Sequence, residues 1–220
     1  MAYLFDGPSE KITISGVTMP TTGALFLLWY PTSNSFTWNQ NLISQFSGFN
    51  DYWHLFRYAS NTSLWHRFMI GGGWTGVNGT VSAPALNTWH SICVNWTQSG
   101  TTELFLNNTS VGTAGSTAVA ALTNDIIIGN IQSTGPAMGR IAEVSLYDAN
   151  LDSTARTSLH ELNIPSQGAH GLHYWPLDGN ANDSWGSAHG TVTDATTDTH
   201  PTMNSGGGSS TFRPQVTMIF

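Results

Sequence analysis

The chain has 220 residues, of which 9% are charged, and its net charge is -7. So few charged residues predict a surface built mainly from Ser, Thr, Asn and Gly. The negative balance argues against a protein that neutralises nucleic-acid phosphates, and equally against one that binds an anionic membrane surface. The hydrophobic fraction of 40% predicts a globular domain, and the lone Cys93 excludes an internal disulfide.

The first residues carry no export pattern. Met1 is followed at once by Ala2-Tyr3-Leu4-Phe5-Asp6, without a basic region, so we expect no signal peptide. The most apolar run, residues 24–30, is too short to span a bilayer.

Strand patterns dominate the rest of the chain. Residues 11–15 alternate polar and apolar side chains, and residues 89–96 are rich in β-branched and aromatic ones. Residues 103–106 follow a turn, and Asn107-Asn108 predicts a tight hairpin because Asn tolerates positive φ. Further strands are predicted at 126–129 and 139–147. Short strands between regularly spaced turns favour a β-sandwich.

One helix is predicted between Leu151 and Leu162, where apolar residues fall on one face. Asp152 or Ser153 would cap its start, and Pro165 would end it.

The composition changes near the C-terminus. From Asp194 to Thr211 the chain is rich in Thr, Ser and Gly, which predicts a flexible linker after a domain of residues 1–193. Residues 212–220 form a largely apolar end. Within it Val216, Met218 and Phe220 alternate with Gln215, Thr217 and Ile219, so this end can form a strand. That strand would complete its own sheet or serve as an arm that adds to a neighbour's sheet through Phe212, Val216, Met218 and Phe220.

Three segments occur in a recognisable order. Residues 3–7 read YLFDG, residues 87–94 read NTWHSICV before LFLNN at 104–108, and residues 139–147 read GRIAEVSLY before the predicted helix. This order resembles the laminin-G-like, concanavalin A-like jelly-roll superfamily. The resemblance implies an all-β, two-sheet antiparallel jelly-roll sandwich with one short helix, here followed by a C-terminal arm.

The segment HYWPLDGNANDSWGSAHG, residues 173–190, is similar to one that precedes the opening strand in many relatives. In this chain it follows the sandwich instead. A jelly roll brings its two ends close together, so we expect a closing strand and turn in the same place in space. A truncated second repeat is the alternative.

Glucanases of this superfamily carry paired carboxylates on alternate positions of one strand, and no such strand occurs here. Glu143 and Asp148 are an odd number of residues apart, so a regular strand points them to opposite faces. We therefore predict a protein that is not an enzyme.

The resemblance also implies a site for calcium, which many family members bind at the rim of the sandwich. Asp6, Asp178 and Asp183 would supply its oxygen ligands. Asp178 and Asp183 are equally suited to accepting hydrogen bonds from their own turns, which is the interpretation we favour. We therefore expect no cofactor, with calcium as the alternative.

Aromatic side chains are concentrated between residues 29 and 74. Rings exposed among amide-rich loops would stack on sugars, as in other lectins of this architecture, and the residues selected on this ground are Trp38, Tyr52, Trp53 and Trp74. The alternative is that these rings fill the core, because alternate strand positions face opposite sides.

Taken together, these features favour a non-catalytic structural or interaction protein of a larger assembly. The resemblance suggests a bacteriophage virion component, either a capsid decoration subunit or a tail adhesion module. The expected partners are then other virion subunits and further copies of the chain as a homo-oligomer at the virion surface. The alternative is a carbohydrate-binding module of lectin type that binds a glycan through exposed aromatic rings, outside the cell or at its surface.

Overall fold

The computed structural model describes residues 1–33, 39–48, 51–58, 63–70, 73–79, 84–115, 122–130 and 137–204. Within them the chain forms two antiparallel sheets and one short helix, which confirms the predicted sandwich. No helix in these ranges is long and apolar enough to cross a membrane.

Sheet A contains eight described strands, namely β1 (Ala2–Phe5), β3 (Gly23–Pro31), β8 (His90–Trp96), β9 (Thr101–Leu106), β10 (Thr109–Gly115), β12 (Gly139–Tyr147), β13 (Gly171–Trp175) and β15 (Thr196–Asp198). Their order across the sheet is β10, β9, β8, β3, β12, β1 and β15, while β13 pairs with β12 beyond the end of β1.

Sheet B contains seven described strands, namely β2 (Lys11–Ile14), β4 (Gln40–Gly48), β5 (Asp51–Arg57), β6 (Leu64–Ile70), β7 (Gly73–Asn78), β11 (Ile126–Gly129) and β14 (Gly190–Thr193). They lie in the order β14, β2, β11, β4, β5, β6 and β7. The predicted strands at 11–15, 89–96, 103–106, 126–129 and 139–147 are all confirmed, with ends that differ by up to two residues.

The main core lies between the two sheets. Trp29 and Trp96 of sheet A and Trp53 of sheet B are fully buried there, together with many Leu, Ile and Val side chains. Trp53 packs edge-on against His66 at 5.4 Å and lies 6.3 Å from Trp96, between ring centroids. Large aromatic rings thus fill the space that separates the sheets.

Helix α1 (Ser153–His160) covers the outer face of sheet A. The Asp152 carboxylate caps it by accepting a hydrogen bond from the Ala155 N–H at 2.8 Å. Ala155 and Leu159 pack on a second apolar cluster that includes Phe26 and Phe105. Sheet A is therefore apolar on both faces, since it has the core on one side and the helix on the other.

The segment of residues 173–190 closes the sandwich, as predicted. Its first residues belong to β13, which pairs with β12, and it leads into β14, which pairs with β2 of the other sheet. Trp175 is fully buried in the main core. The segment thus completes this sandwich and does not begin a second repeat.

Strand pairing continues beyond residue 193, where the sequence analysis places the end of the domain, and that boundary stays a prediction. β15 pairs with β1, and the Arg140 guanidinium contacts the Asp198 carboxylate at 2.7 Å. The Asn204 N–H donates to the Leu162 carbonyl at 2.8 Å. The Thr-rich composition that suggested a linker forms a short edge strand, because Thr is β-branched and suits a strand.

The rest of the predicted linker and the predicted arm with Phe212, Val216, Met218 and Phe220 lie outside the described residues.

Candidate functional site

The outer face of sheet B is the side of the sandwich that the helix does not cover. The described helix packs on sheet A, and the core occupies the inner face of sheet B. Strand alternation sends every second side chain of sheet B outward. A face of this kind, supported by a rigid sheet, is a candidate surface for binding.

A row of cross-strand neighbours crosses this outer face at right angles to the strands. We call it the polar row because most of its members are polar. Its members are direct cross-strand partners in successive strands, namely Thr191, Thr13, Ile127, Ser44, His54, Arg67 and Gly76. Neighbouring strands lie about 4.8 Å apart, so the part from Ser44 to Gly76 spans about 14 Å. That length matches a short linear ligand.

Six aromatic residues surround the middle of this row, and we call them the aromatic layer: Phe46, Tyr52, His54, Phe56, Tyr58 and Trp65. Their rings contact one another in sequence across β4, β5 and β6. The Phe46 ring stacks on Tyr52 with centroids 5.0 Å apart, and the His54 ring stacks on Phe56 at 4.2 Å. Tyr58 stacks on Trp65 at 4.8 Å. The contacts hold these rings in place before any ligand arrives.

Arg67 joins the layer as its cation. Its guanidinium carbon lies 4.3 Å from the Trp65 ring centroid and 5.3 Å from that of Phe56. Such contacts orient the guanidinium and keep its charge near the rings.

His54 is buried in the layer and electrically neutral. Burial, followed by electrostatic interactions with Arg67 and His66, lowers the pKa of His54 to about 3. Its side chain has only 6% of its surface exposed. Among the described residues, neither His54 Nε2 nor the hydroxyl of Ser44 beside it has a hydrogen-bond partner. Buried polar atoms usually find a partner, so this pair is an exception within the described part of the chain.

The four residues predicted to bind sugar do not form one group in the structure. Tyr52 is half-buried in the aromatic layer, and Trp74 lies in β7 opposite Met69, where its backbone register is described. Trp38 lies outside the described residues.

Trp53 requires a correction, because it is fully buried in the core and leaves no ring face for a sugar. The residues around it form strand β5, not a loop, and alternation turns Tyr52 outward and Trp53 inward.

Sequence reasoning missed His54 and Arg67 as members of a site. A signal was present, since Tyr52, His54 and Phe56 are two residues apart and so share one face of a strand. Whether this face points outward or into the core depends on how distant strands pack, which the spacing alone does not show.

The three residues predicted as calcium ligands do not share a site. Asp178 pairs with the N-terminal amine of Met1, and Asp6 is an exposed residue whose N–H donates to Glu10. In the described ranges, no three His, Cys, Asp or Glu residues are grouped so that they could hold a metal ion.

Asp183 accepts hydrogen bonds from the turn after β13, as the turn interpretation expects, whereas Asp178 pairs with the Met1 amine. One carboxylate oxygen accepts from the N–H groups of Tyr174, Trp185 and Gly186 at 3.0–3.1 Å. The other accepts from His173 at 2.6 Å and from Ala188 N–H at 3.2 Å. Burial raises the pKa of Asp183, but these hydrogen bonds outweigh it and hold the pKa below its usual value.

Glu143 does not belong to a catalytic carboxylate pair. It is almost fully buried, and its carboxylate accepts from the Tyr174 hydroxyl at 2.5 Å and contacts His200 Nε2 at 2.9 Å. The outward positions in the described strands of sheet B carry neither Asp nor Glu.

Comparisons with solved structures find the same fold at low identity. Domain 4 of AbnA, a GH43 extracellular arabinanase from Geobacillus stearothermophilus solved in complex with arabinotriose, has a TM-score of 0.55 and 16% identity, over 66% of this chain and 69% of that one. A SAP-like pentraxin from Limulus polyphemus, solved as a native heptamer, has a TM-score of 0.60 and 14% identity, over 88% and 91%.

A third structure is that of a candidate carbohydrate binding protein from Bacteroides ovatus. Its TM-score is 0.65 and its identity 15%, over 89% of this chain but 58% of that chain. This chain therefore spans little more than half of the Bacteroides protein. A search of curated protein sequences finds no match.

The model of one sequence family matches residues 6–155, which is more than half of the chain. The matched region runs from the end of β1 through the first residues of α1, and it includes all of β4, β5 and β6. The sheet order and the match agree with each other, and the chain belongs to the concanavalin A-like lectin/glucanases superfamily.

Proposed function

We propose that this chain is a non-catalytic carbohydrate-binding domain that holds a saccharide on the outer face of sheet B. The observation that carries the proposal is the group of half-buried rings on this face, namely Tyr52, Tyr58 and Trp65, with the Arg67 guanidinium 4.3 Å from the Trp65 ring centroid. Sugar rings have apolar C–H faces that pack on aromatic rings, and hydroxyl groups around them that need hydrogen-bond partners. A site with both kinds of group meets both needs.

The relatives support the same class of function. The arabinanase domain was solved with arabinotriose, and the Bacteroides protein is described as a candidate carbohydrate binder. Each statement concerns that protein, and the low identity carries over the fold alone. The aromatic layer of this chain adds the local support.

The predicted role in a phage virion gains no support from the fold or from these relatives. Partners in a virion and a homo-oligomer stay predictions, and so does a place at the virion surface. The carbohydrate-binding alternative is the function that the described residues support better.

The proposal is tested on a glycan array, followed by calorimetric titration of the glycans that bind. Replacing Trp65 by Ala removes a half-buried ring of the layer and should weaken binding about tenfold or more, as expected for a central aromatic contact. Tyr52→Ala should weaken it too, because the Phe46 ring then loses its stacking partner.

Trp89→Ala is the matched control. Trp89 is also half-buried, but it packs against Tyr30 and the outer cluster of sheet A, with ring centroids 5.4 Å apart. Its replacement should leave the affinity unchanged. A chain that binds no glycan would overturn the proposed function, and binding that survives both Tyr52→Ala and Trp65→Ala would overturn the proposed place.

A further inference from the structure

We propose that acid releases the saccharide from this face, because protonation of two buried imidazoles, His54 and His66, forces strands β5 and β6 apart. This inference rests on the proposed function, since it concerns the regulation of the same site. It is carried by the place of the two imidazoles inside the two strands that hold Tyr52 and Trp65.

The first argument is the bonding of the histidines. All 8 histidines of the chain lie in the described ranges. Six of them have a hydrogen-bond partner for a ring nitrogen, namely His90, His160, His170, His173, His189 and His200. Within the described part of the chain, neither nitrogen of His66 has such a partner, and His54 Nε2 has none either. The two exceptions lie in neighbouring strands of one sheet.

The second argument is the burial of His66 in the main core. Its side chain is 0% exposed, and its ring centroid lies 4.8 Å from that of Phe68 and 5.4 Å from that of Trp53. Trp96 of sheet A closes the other side at 6.3 Å. A protonated imidazole needs acceptors for two N–H groups, and these neighbours supply none. His66 is therefore neutral while the core is closed.

The strands beside His66 add no charge that could compensate a proton. Its cross-strand partners are Leu55 in β5 and Val77 in β7, and both are buried and apolar. The titratable side chain that interacts with it electrostatically is His54. Burial lowers the pKa of His66 to about 3.

His54 has the same limitation in the neighbouring strand. The charged side chain that faces it is Arg67 of β6, whose positive charge opposes a second one, and Tyr52 of its own strand lies 6.4 Å away between ring centroids. From β4 it is faced by the uncharged Ser44 and Phe46.

No carboxylate offsets these effects. All 13 acidic residues lie in the described ranges, and the one nearest to His54 in sequence is Asp51. Asp51 is three residues away, or about 10 Å along the strand. The pKa of His54 is accordingly lowered to about 3 by burial, Arg67 and His66, without a carboxylate that raises it.

The sign of the pH dependence follows from these values. In the unfolded chain both imidazoles titrate near 6.5, whereas in the folded chain their pKa is about 3, so the unfolded chain binds more protons in between. The stabilisation is full above pH 6.5 and is lost as the pH falls from 6.5 towards 3. Each imidazole lowers the equilibrium constant for closing the strands by about tenfold per pH unit in that window.

The place of β5 and β6 makes the opening local. In the described order of sheet B only β7 follows them, so they lie near an edge of the sheet. Tyr52 is two residues from His54, and Trp65 is adjacent to His66. Water that reaches the imidazoles therefore separates the rings of the site. Strand β12, by contrast, lies inside sheet A beneath α1.

The experiment follows the full chain from pH 7.5 to 4.5. Hydrogen exchange measures the protection of backbone amides, urea unfolding measures stability, and calorimetry measures affinity for the neutral glycan that binds most tightly on the array. A neutral glycan has no charge of its own that changes with pH. We expect amides of β5 and β6 to lose protection at milder acidity than those of β12, and the affinity to fall with them.

His66→Leu is the decisive variant, because it fills the core with an apolar side chain that does not titrate. It should bind the glycan like the wild type at pH 7.5. Between pH 7.5 and 4.5 its folding equilibrium constant should fall about a hundredfold less than that of the wild type. His66→Phe is a second apolar replacement with the same expected result.

His160→Gln is the matched control. It also removes one imidazole, but His160 is exposed at the end of α1. Its response to acid should equal that of the wild type.

An equal acid response in the wild type, His66→Leu and His66→Phe would overturn this inference and leave the proposed function intact. Loss of protection in β12 at the same pH as in β5 would overturn the local opening. Loss of affinity while β5 and β6 stay protected would overturn release by opening. Absence of glycan binding at every pH would overturn the proposed function, whereas unfolding and exchange would still decide the acid opening.

Discussion

Glu143 adopts a left-handed backbone conformation in the middle of β12, with φ of 54°. The register of β12 against β3 shifts at this point, which marks a β-bulge. The bulge breaks the alternation of side chains, so Glu143 meets Tyr174 and His200. It also separates the part of β12 that pairs with β1 from the part that pairs with β13.

His200 is the residue through which pH should act on this contact. Both ring nitrogens face acceptors, since Nδ1 lies 2.7 Å from the Pro201 carbonyl and Nε2 lies 2.9 Å from Glu143. Burial lowers the pKa of His200, but its hydrogen bond to Glu143 and its contact with the Pro201 carbonyl outweigh this and raise the pKa above 6.5. The stabilisation is therefore full below pH 6.5 and is lost as the pH rises through the higher folded-state pKa.

We expect the free energy of unfolding to fall by about 1 kcal/mol between mildly acidic and alkaline pH, and His200→Gln to remove this dependence. Urea unfolding across that range measures it. The same pH dependence in the wild type and in His200→Gln would assign the titration to another group.

Asp183 should matter more than its neighbour Asp178. Asp183→Asn weakens up to five hydrogen bonds in the turn after β13, so we expect a loss of about 2–3 kcal/mol in the free energy of unfolding. Asp178→Asn is the control, since its ion pair is exposed and should contribute less than about 1 kcal/mol.

The pH dependence of Asp183 has the opposite sign to that of His200. Its pKa is lowered, so its stabilisation is present above 3.8 and is lost as the pH falls through the lower folded-state pKa. Chemical denaturation in acid measures this loss. An equal acid response in the wild type and in Asp183→Asn would contradict the assignment.

At the scale of the elements, local sequence signals predicted five strands to within two residues, and they predicted the helix. The hairpin between β9 and β10 turns at Asn107 and Asn108, with φ of 50° and 60°, as the pair of Asn residues predicted. The predicted cap of α1 is confirmed at Asp152. These features depend on neighbouring residues, so they are readable from a single sequence.

The hairpin provides a test at this scale. Asn108→Ala places a residue that tolerates positive φ less well than Asn in a left-handed position, and it should lower the free energy of unfolding by about 1 kcal/mol. Asn108→Gly should stay within about 0.5 kcal/mol of the wild type, because glycine accepts positive φ without strain. Thermal unfolding of the two variants compares them, and equal losses would show that the Asn108 side chain, which donates to Thr157 at 2.8 Å, is what matters.

At the scale of the whole molecule, the C-terminal part described here locks sheet A. β15 pairs with the free edge of β1. The Arg140–Asp198 ion pair joins β15 to β12, and the Glu143–His200 ion pair joins the residues after β15 to β12. Sheet A is thereby closed at this edge and covered by α1, while the outer face of sheet B is left without a helix in the described ranges.

Two truncated chains test this arrangement. A chain that ends at Asp194 loses β15 and both ion pairs, and we expect it to be less stable by about 2–4 kcal/mol. A chain that ends at Asn204 keeps every described contact and should be as stable as the full chain within about 0.5 kcal/mol. Urea unfolding measures the stability of the three chains, and equal stability of the two truncated chains would support the predicted boundary at residue 193.

The same chains test the predicted arm. If residues 212–220 join copies of the chain, the full chain will have a larger mass in solution than the chain that ends at Asn204. Equal masses would contradict an arm that acts between copies.

The sequence by itself determined the fold class, the positions of five strands, the helix with its cap, and the closing role of residues 173–190. These depend on alternation, turn residues and motif order, which are local properties. The tertiary structure decided which aromatic rings share a face and which are buried. Tyr52 and Trp53 are adjacent in sequence, yet one joins the aromatic layer and the other the core. Alternation says that they point to opposite sides, but only the packing of distant strands says which side is the core.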